Sequence, residues 1–185
     1  MPRGTAANLS LGPGYLYIAP LGTTEPTDLS TAWATVSASW VAIGYTAQGS
    51  EFDYQLNTSP VMVAEELDPI SNASDGRSSM LKFVMSEITA TNLKRASNGG
   101  TITTGSGIVT FEPPDLGTET RTMLGFESED HSERWVFRQC LMTGQLQILR
   151  QKGANNATMA CEFTLEKPAT GSRLFKAIYA APARQ

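Results

Sequence analysis

Apolar and polar positions alternate most regularly in ATMACEFTLEK (157–167), where Met159, Cys161, Phe163 and Leu165 face one way and Thr158, Ala160, Glu162, Thr164 and Glu166 the other. A period of two over this length predicts a strand with one face in a core and the other wet. EFDYQLN (51–57) repeats the pattern, with Phe52, Tyr54 and Leu56 opposite Glu51, Asp53 and Gln55. RSSMLKFVM (77–85) differs, because Met80 and Val84 oppose Leu81, Phe83 and Met85. A strand apolar on both sides calls for a cover on both, from its own core or from a partner chain.

Shorter apolar runs predict further strands at YLYIA (15–19), WVAIGYT (40–46), GIVTF (107–111), TRTMLGFE (120–127), RWVFRQCLM (134–142), GQLQILR (144–150) and FKAIYA (175–180). VMVAEELDPI (61–70) reads as extended until Asp68-Pro69, where proline turns its predecessor away from helix. Glycine and proline make 1–14 an irregular arm, and 20–39, SNASDG (71–76), EPPDLG (112–117) and QKGANN (151–156) read as loops or turns. One helix is predicted. Thr89 suits an N-cap, Ile88 and Leu93 have the spacing of a hydrophobic staple, and Ala90, Leu93 and Ala96 form a narrow apolar stripe. Lys94 and Arg95 favour its last turn and Gly99-Gly100 its end. The sum is about nine strands and one short helix in a single mainly β domain spanning 1–185.

Composition agrees: 16 glycines and 10 prolines punctuate 185 residues, and charged residues are only 17%. Charge is unevenly placed. Residues 1–120 carry 12 acids and 5 bases, whereas 121–185 carry 6 acids and 9 bases. Between Glu51 and Gly76 stand Glu51, Asp53, Glu65, Glu66, Asp68 and Asp75 and no base. With no basic stripe, a nucleic-acid grip is not expected. No run has the length of a secretory signal or a membrane span, so assembly in a cytosolic compartment and two unbridged cysteines, Cys140 and Cys161, are expected.

Candidate chemistry is sparse. The single histidine lies in Asp130-His131-Ser132, but neighbours in an extended segment point to opposite faces, which argues against a triad. One histidine and two distant cysteines do not make a zinc site, and the acids of 65–68 lack the alternating oxygen spacing of a calcium loop. GSGIVT (105–110) lacks the full dinucleotide fingerprint. No catalytic, metal or cofactor-binding residue is assigned, and an enzyme is not expected. A surface-displayed binding module would need an exposed aromatic reader, for which Trp33 and Trp40 are the candidates, although Trp40 suits a core strand, Trp33 a place under the long loop and Trp135 the core.

GPGYLYIAPLGTTEPTDL, then W.AIGYT..GSEFDY, V.VAEELDPI, GRSSMLKFVMSEITATNL and SNGG, in this order over residues 12–100, resemble the major tail tube proteins of siphophages infecting actinobacteria. The resemblance implies a β-sandwich or barrel-like subunit with a short helix on its outside. Such subunits close into hexameric rings that stack helically into a hollow virion tail tube, through which double-stranded DNA passes without specific binding. Other implied partners are a tape measure protein, a tail terminator and distal tail proteins, with no membrane involved. On matching positions, residues 45–76 would be a long acidic inter-ring loop region with Asn57, Glu65, Glu66, Asp68 and Asp75 as contact candidates. Residues 1–14 would be an arm on adjacent subunits, and Thr89, Leu93 and Ala96 would belong to the outer helix. Lumen-facing candidates are Glu51, Asp53 and Gln55 on one strand, or Glu162 and Glu166 on another. A tail terminator or head–tail joining ring protein is the alternative within the same class.

Overall fold

The computed structural model describes residues 14–64, 66–150, 157–169 and 173–180. These are mainly β, 53% strand against 7% helix, in a sandwich-like antiparallel fold. Eleven strands are formed: β1 (Gly14–Pro20), β2 (Val41–Ala42), β3 (Thr46–Val61), β4 (Ser71–Met85), β5 (Thr101–Gly105), β6 (Ile108–Glu112), β7 (Thr122–Ser128), β8 (Glu133–Met142), β9 (Gln147–Leu149), β10 (Thr158–Leu165) and β11 (Phe175–Tyr179). Nine of them build one sheet in the order β2-β1-β7-β8-β10-β4-β3, with β11 beside β8 and β9 beside β10; β5 and β6 form a separate hairpin.

The alternation in ATMACEFTLEK translates directly into burial. Met159, Cys161, Phe163 and Leu165 of β10 are all buried, next to Leu81, Phe83 and Met85 of β4 and Leu124, Phe137, Cys140 and Met142 of β7 and β8. Cross-strand register sets Phe163 against Leu81 and Cys161 against Phe83, and the rings of Phe83 and Phe163 stack at 5.6 Å. Burial pushes both cysteine thiols up to about 12, and neither is bridged.

Two sequence expectations change here. SNASDG is not a loop: it opens β4, which pairs with β3 from Val61↔Ser71 to Thr46↔Met85. The segment expected as a long inter-ring loop region is therefore mostly a ribbon of two strands. β10 partners β4 only over Met80–Met85, so among the described residues the ribbon's outer half pairs with no other strand. Strongly polar sequence hides this element, because backbone pairing needs no apolar side chain. In addition, TITTG (101–105), which carries little apolar signal, forms β5, and WVAIGYT contributes only the two residues of β2 and Thr46, the first residue of β3.

Helix α2 (Ala90–Ala96) confirms the cap: the Thr89 hydroxyl accepts from the Asn92 amide at 3.2 Å. Its end uses the expected glycines, Gly99 (φ 127°) and Gly100 (φ 105°), but the left-handed turn starts one residue earlier, at Asn98 (φ 56°), and the amides of Asn98 and Gly99 return to Arg95 and Lys94 carbonyls. Asparagine is tolerated there because its side chain pairs with both the amide and the carbonyl of Met142, each at 2.7 Å. A second helix of one turn, α1 (Trp33–Val36), lies within the long loop, so the described residues contain two helices where one was expected. The 1–14 arm, apart from Gly14 in β1, and the QKGANN turn fall outside the described residues.

Phe163→Ala is expected to lower stability by about 3–5 kcal/mol in urea denaturation, whereas Thr164→Ala on the opposite face should change it by less than about 1 kcal/mol. Equal losses would refute the assignment of the core to one face of β10.

Candidate functional site

The sheet's second face is divided between a dry half and a wet half. On β1, β7 and β8 it is covered by residues 21–40. Trp33 and Trp40 are buried there with Ala19, Met123 and Val136. The Trp33 ring stacks on Tyr17 at 4.6 Å and lies so close to β7 that a Cβ at Gly125 would meet it at 2.5 Å, which is why that strand position is glycine. Both tryptophans proposed as exposed readers are thus core residues; Trp135 is partly buried among Phe52, Phe137 and Phe175.

Glu127 holds this cover in place. Its Oε1 accepts from Arg134 Nε at 3.0 Å and Nη2 at 2.6 Å and lies 2.8 Å from His131 Nδ1; its Oε2 accepts from Trp33 Nε1 at 2.8 Å and Tyr17 OH at 3.5 Å. Arg134 Nη1 in turn donates to the carbonyls of Asp28 and Thr31, which tethers the loop to β8. Arg138 and Lys176 add a pair to Glu25 and a bond to the Pro26 carbonyl. Burial pushes the Glu127 carboxyl up, but hydrogen bonds from Arg134, His131 and Trp33 outweigh it and hold the group below its ordinary value. His131 sits at φ 53° with its ring on Glu127, while Asp130 binds the hydroxyls of Ser128 and Ser132. The Asp-His-Ser run is a turn that anchors a clamp, and its three members do not converge.

The wet half lies on β3, β4 and β10. Register aligns Glu51 with Lys82 and Lys82 with Glu162, so the two alternative acidic sets from the sequence stand on one face. Sequence reasoning missed the cations among them. Lys82 Nζ lies 2.8 Å from Asp53 Oδ2, and Arg121 Nε lies 2.9 Å from Glu166 Oε2, which also accepts from Gln139. Lys82 occupies the polar phase of RSSMLKFVM between Met80 and Val84, and that phase was the available signal. Glu51, Asp53, Gln55, Glu162 and Glu166 remain partly or fully exposed, as do Met80 and Val84. A shallow cavity of about 340 Å³ beside the β3 bulge is lined by Glu51, Lys82 and Glu162.

The ribbon carries the other candidates. Asn57 is exposed at a register shift against Gly76, and Asp75 accepts from the Ser59 hydroxyl. Glu66 and Asp68 are exposed at the tip beside Leu67, which is 96% exposed; Glu65 lies outside the described residues. On α2, Ala96 is buried and Leu93 partly so, but the stripe's third buried side is Asn92, bonded to the carbonyls of Ile43 and Glu87. Among the described residues no cluster of three or more metal-ligating side chains forms.

The main surface features of the described residues are a long projecting ribbon and a half-wet sheet face. Residues 2–151 match the family model described as phage tail tube protein. The chain belongs to the phage tail tube protein family. No curated protein matches it. As a tail tube protein it is a structural component of a phage virion. The match takes in β3, β4, the ribbon and the Glu127 clamp and ends after β9, so β10 and β11, with Glu162 and Glu166, lie beyond it.

In this tail tube protein, Glu127→Gln leaves the buried Arg134 without a counter-charge and is expected to cost about 3–5 kcal/mol, with a red shift of tryptophan emission as the 21–40 cover loosens. Because folding lowers the Glu127 pKa, its stabilisation is complete above the ordinary glutamate value of 4.5 and is lost as pH falls through the lower folded value. Stability of the wild type should therefore fall more steeply below about pH 5 than that of the variant; parallel curves would remove Glu127 from this role.

Proposed function

We propose that this tail tube protein self-assembles into hexameric rings that stack helically into a hollow tube, and that double-stranded DNA travels through the bore during genome ejection. The observation that carries the proposal is the wet face of β3, β4 and β10, where Glu51, Asp53, Glu162 and Glu166 outnumber Lys82 and Arg121. That face lines the lumen. A bore has to pass DNA without holding it, and every phosphate bound by a lysine or arginine would add roughly one unit to the salt dependence of retention. Here both cations are engaged by Asp53 and Glu166, which leaves the excess carboxylates to repel phosphate.

The same arrangement accounts for the edges. Among the described residues β3 presents an unpaired strand edge, and β2 at the other end of the strand order is only two residues long. Free edges favour aggregation unless another chain pairs with them, and a closed ring supplies that pairing. The ribbon then reaches a neighbouring ring, α2 lies outside the channel wall, and a tape measure protein occupies the lumen before ejection. Tail terminator and distal tail proteins close the two ends.

Negative-stain electron microscopy across a concentration series, with sedimentation velocity alongside, is expected to show hollow tubes of uniform width and open length. Closed rings that never stack would move the protein to a terminator or joining role. Glu51→Lys with Glu162→Lys should give tubes that retain linear double-stranded DNA at low salt and release it as salt rises. Equal DNA retention by wild-type and variant tubes would exclude this face from the lumen.

A further inference from the structure

We infer that the tip of the β3–β4 ribbon of one copy seats in an apolar pocket beside β1 and β2 of a second copy. The inference rests on the tube proposal above and names the receptor for the ribbon. The pocket, about 470 Å³, lies beside β1, β2 and the Thr122 end of β7. Ile18, Ala19, Pro20 and Val41 supply its apolar wall, and Arg95 and Arg121 line it as well.

The two surfaces complement each other in shape of chemistry and in sign. At the tip, Leu67 is 96% exposed between Glu66 and Asp68, and Met62 and Ile70 are more than half exposed. No base occurs anywhere from residue 51 to 76. An apolar side chain this exposed, flanked by two carboxylates, matches an apolar hollow flanked by guanidinium groups. Arg121 is already paired with Glu166, but Arg95 is not. It donates to Asn92 Oδ1 at 2.8 Å and the Ala42 carbonyl at 3.4 Å, and among the described residues no carboxylate forms an ion pair with it. Burial strips water from this guanidinium and lowers its pKa, with no anion acting in the other direction. An incoming acidic segment supplies this guanidinium with the carboxylate it lacks.

The chain's own tip does not reach this pocket. Four strands, β7, β8, β10 and β4, separate β1 from β3 in the sheet. Moreover, the registers run the ribbon out past the Glu127 end of β7, whereas the pocket flanks the Thr122 end. β3 starts at Thr46, close to Val41–Ala42 of β2, but its extended run to Val61 carries the tip roughly 50 Å away, so tip and pocket sit at opposite ends and a contact between them is head-to-tail. Such a heterologous contact propagates: each copy offers one tip and one pocket.

The test is Leu67→Cys with Val41→Cys, both at exposed positions, oxidised under assembly conditions and resolved on a denaturing gel. The native Cys140 and Cys161 are buried and do not compete. The control pair is Leu67→Cys with Glu129→Cys, because Glu129 is exposed beyond the far end of β7. Docking is expected to give a ladder well past dimer, with a yield about tenfold or more above the control, since a seated tip raises the local thiol concentration to the millimolar range. Tubes that form without a ladder above control, or cross-linking that stops at dimers, would overturn the docking while leaving the tube intact. Absence of any wild-type assembly by sedimentation would instead overturn the tube proposal, and this inference with it.

Discussion

One buried carboxylate joins most of the contacts that place the cover on the sheet's second face. Glu127 has two oxygens and faces donors from Arg134, His131, Trp33 and Tyr17, and Arg134 spends its remaining N–H groups on the Asp28 and Thr31 carbonyls. A buried ion pair of this kind adds little net stability over an apolar pair of the same volume, but removing one partner is costly. What it contributes here is placement: the 21–40 segment has one docked position in which Trp33 meets Gly125 and Trp40 Nε1 reaches the Thr24 carbonyl. That docking dries β1, β7 and β8 and leaves β10, β4 and β3 wet.

In the proposed tube the wet half is the surface available to a lumen, and its composition follows from strand periodicity. A core residue at every second position of β10 and β4 forces the intervening positions outward, and these are where Glu162, Thr164, Met80, Lys82 and Val84 stand. Lys82 between Glu51 and Glu162 keeps neighbouring carboxylates from facing one another across strands, where like charges destabilise a sheet. A ring built from such faces would be acidic on balance without being strained by its own charge.

The ribbon shows the opposite economy. Over its outer half it is held by the β3–β4 backbone ladder and small side-chain contacts such as Ser59 with Asp75, and two strands alone are marginally stable in water. Its exposed Leu56, Met62, Leu67 and Ile70 gain nothing within one subunit. In the proposed assembly, subunit contacts would bury these side chains and add to the order of the ribbon.

Much of the fold was legible in the order of residues, and the reasons are local. Period-two alternation in 157–167 and 51–57 identified β10 and the inner part of β3, because a strand exposes alternate side chains whatever surrounds it. Thr89, Ile88 and Leu93 identified the start of α2, because capping is a contact within one turn. The elements that were not legible depend on partners far along the chain. SNASDG pairs with β3 through backbone groups that any residue carries, so its polar, turn-forming composition pointed the wrong way. Asn98 ends α2 because Met142, 44 residues later, satisfies its side chain. The two acidic sets looked like alternatives until β4 brought Glu51 and Glu162 to either side of Lys82. Residue order alone settles which side of each strand is apolar, because that is a property of neighbours in the chain. Which strands lie side by side, which charges cancel and which face stays wet were settled only by the sheet, because those are contacts between residues that the chain keeps far apart.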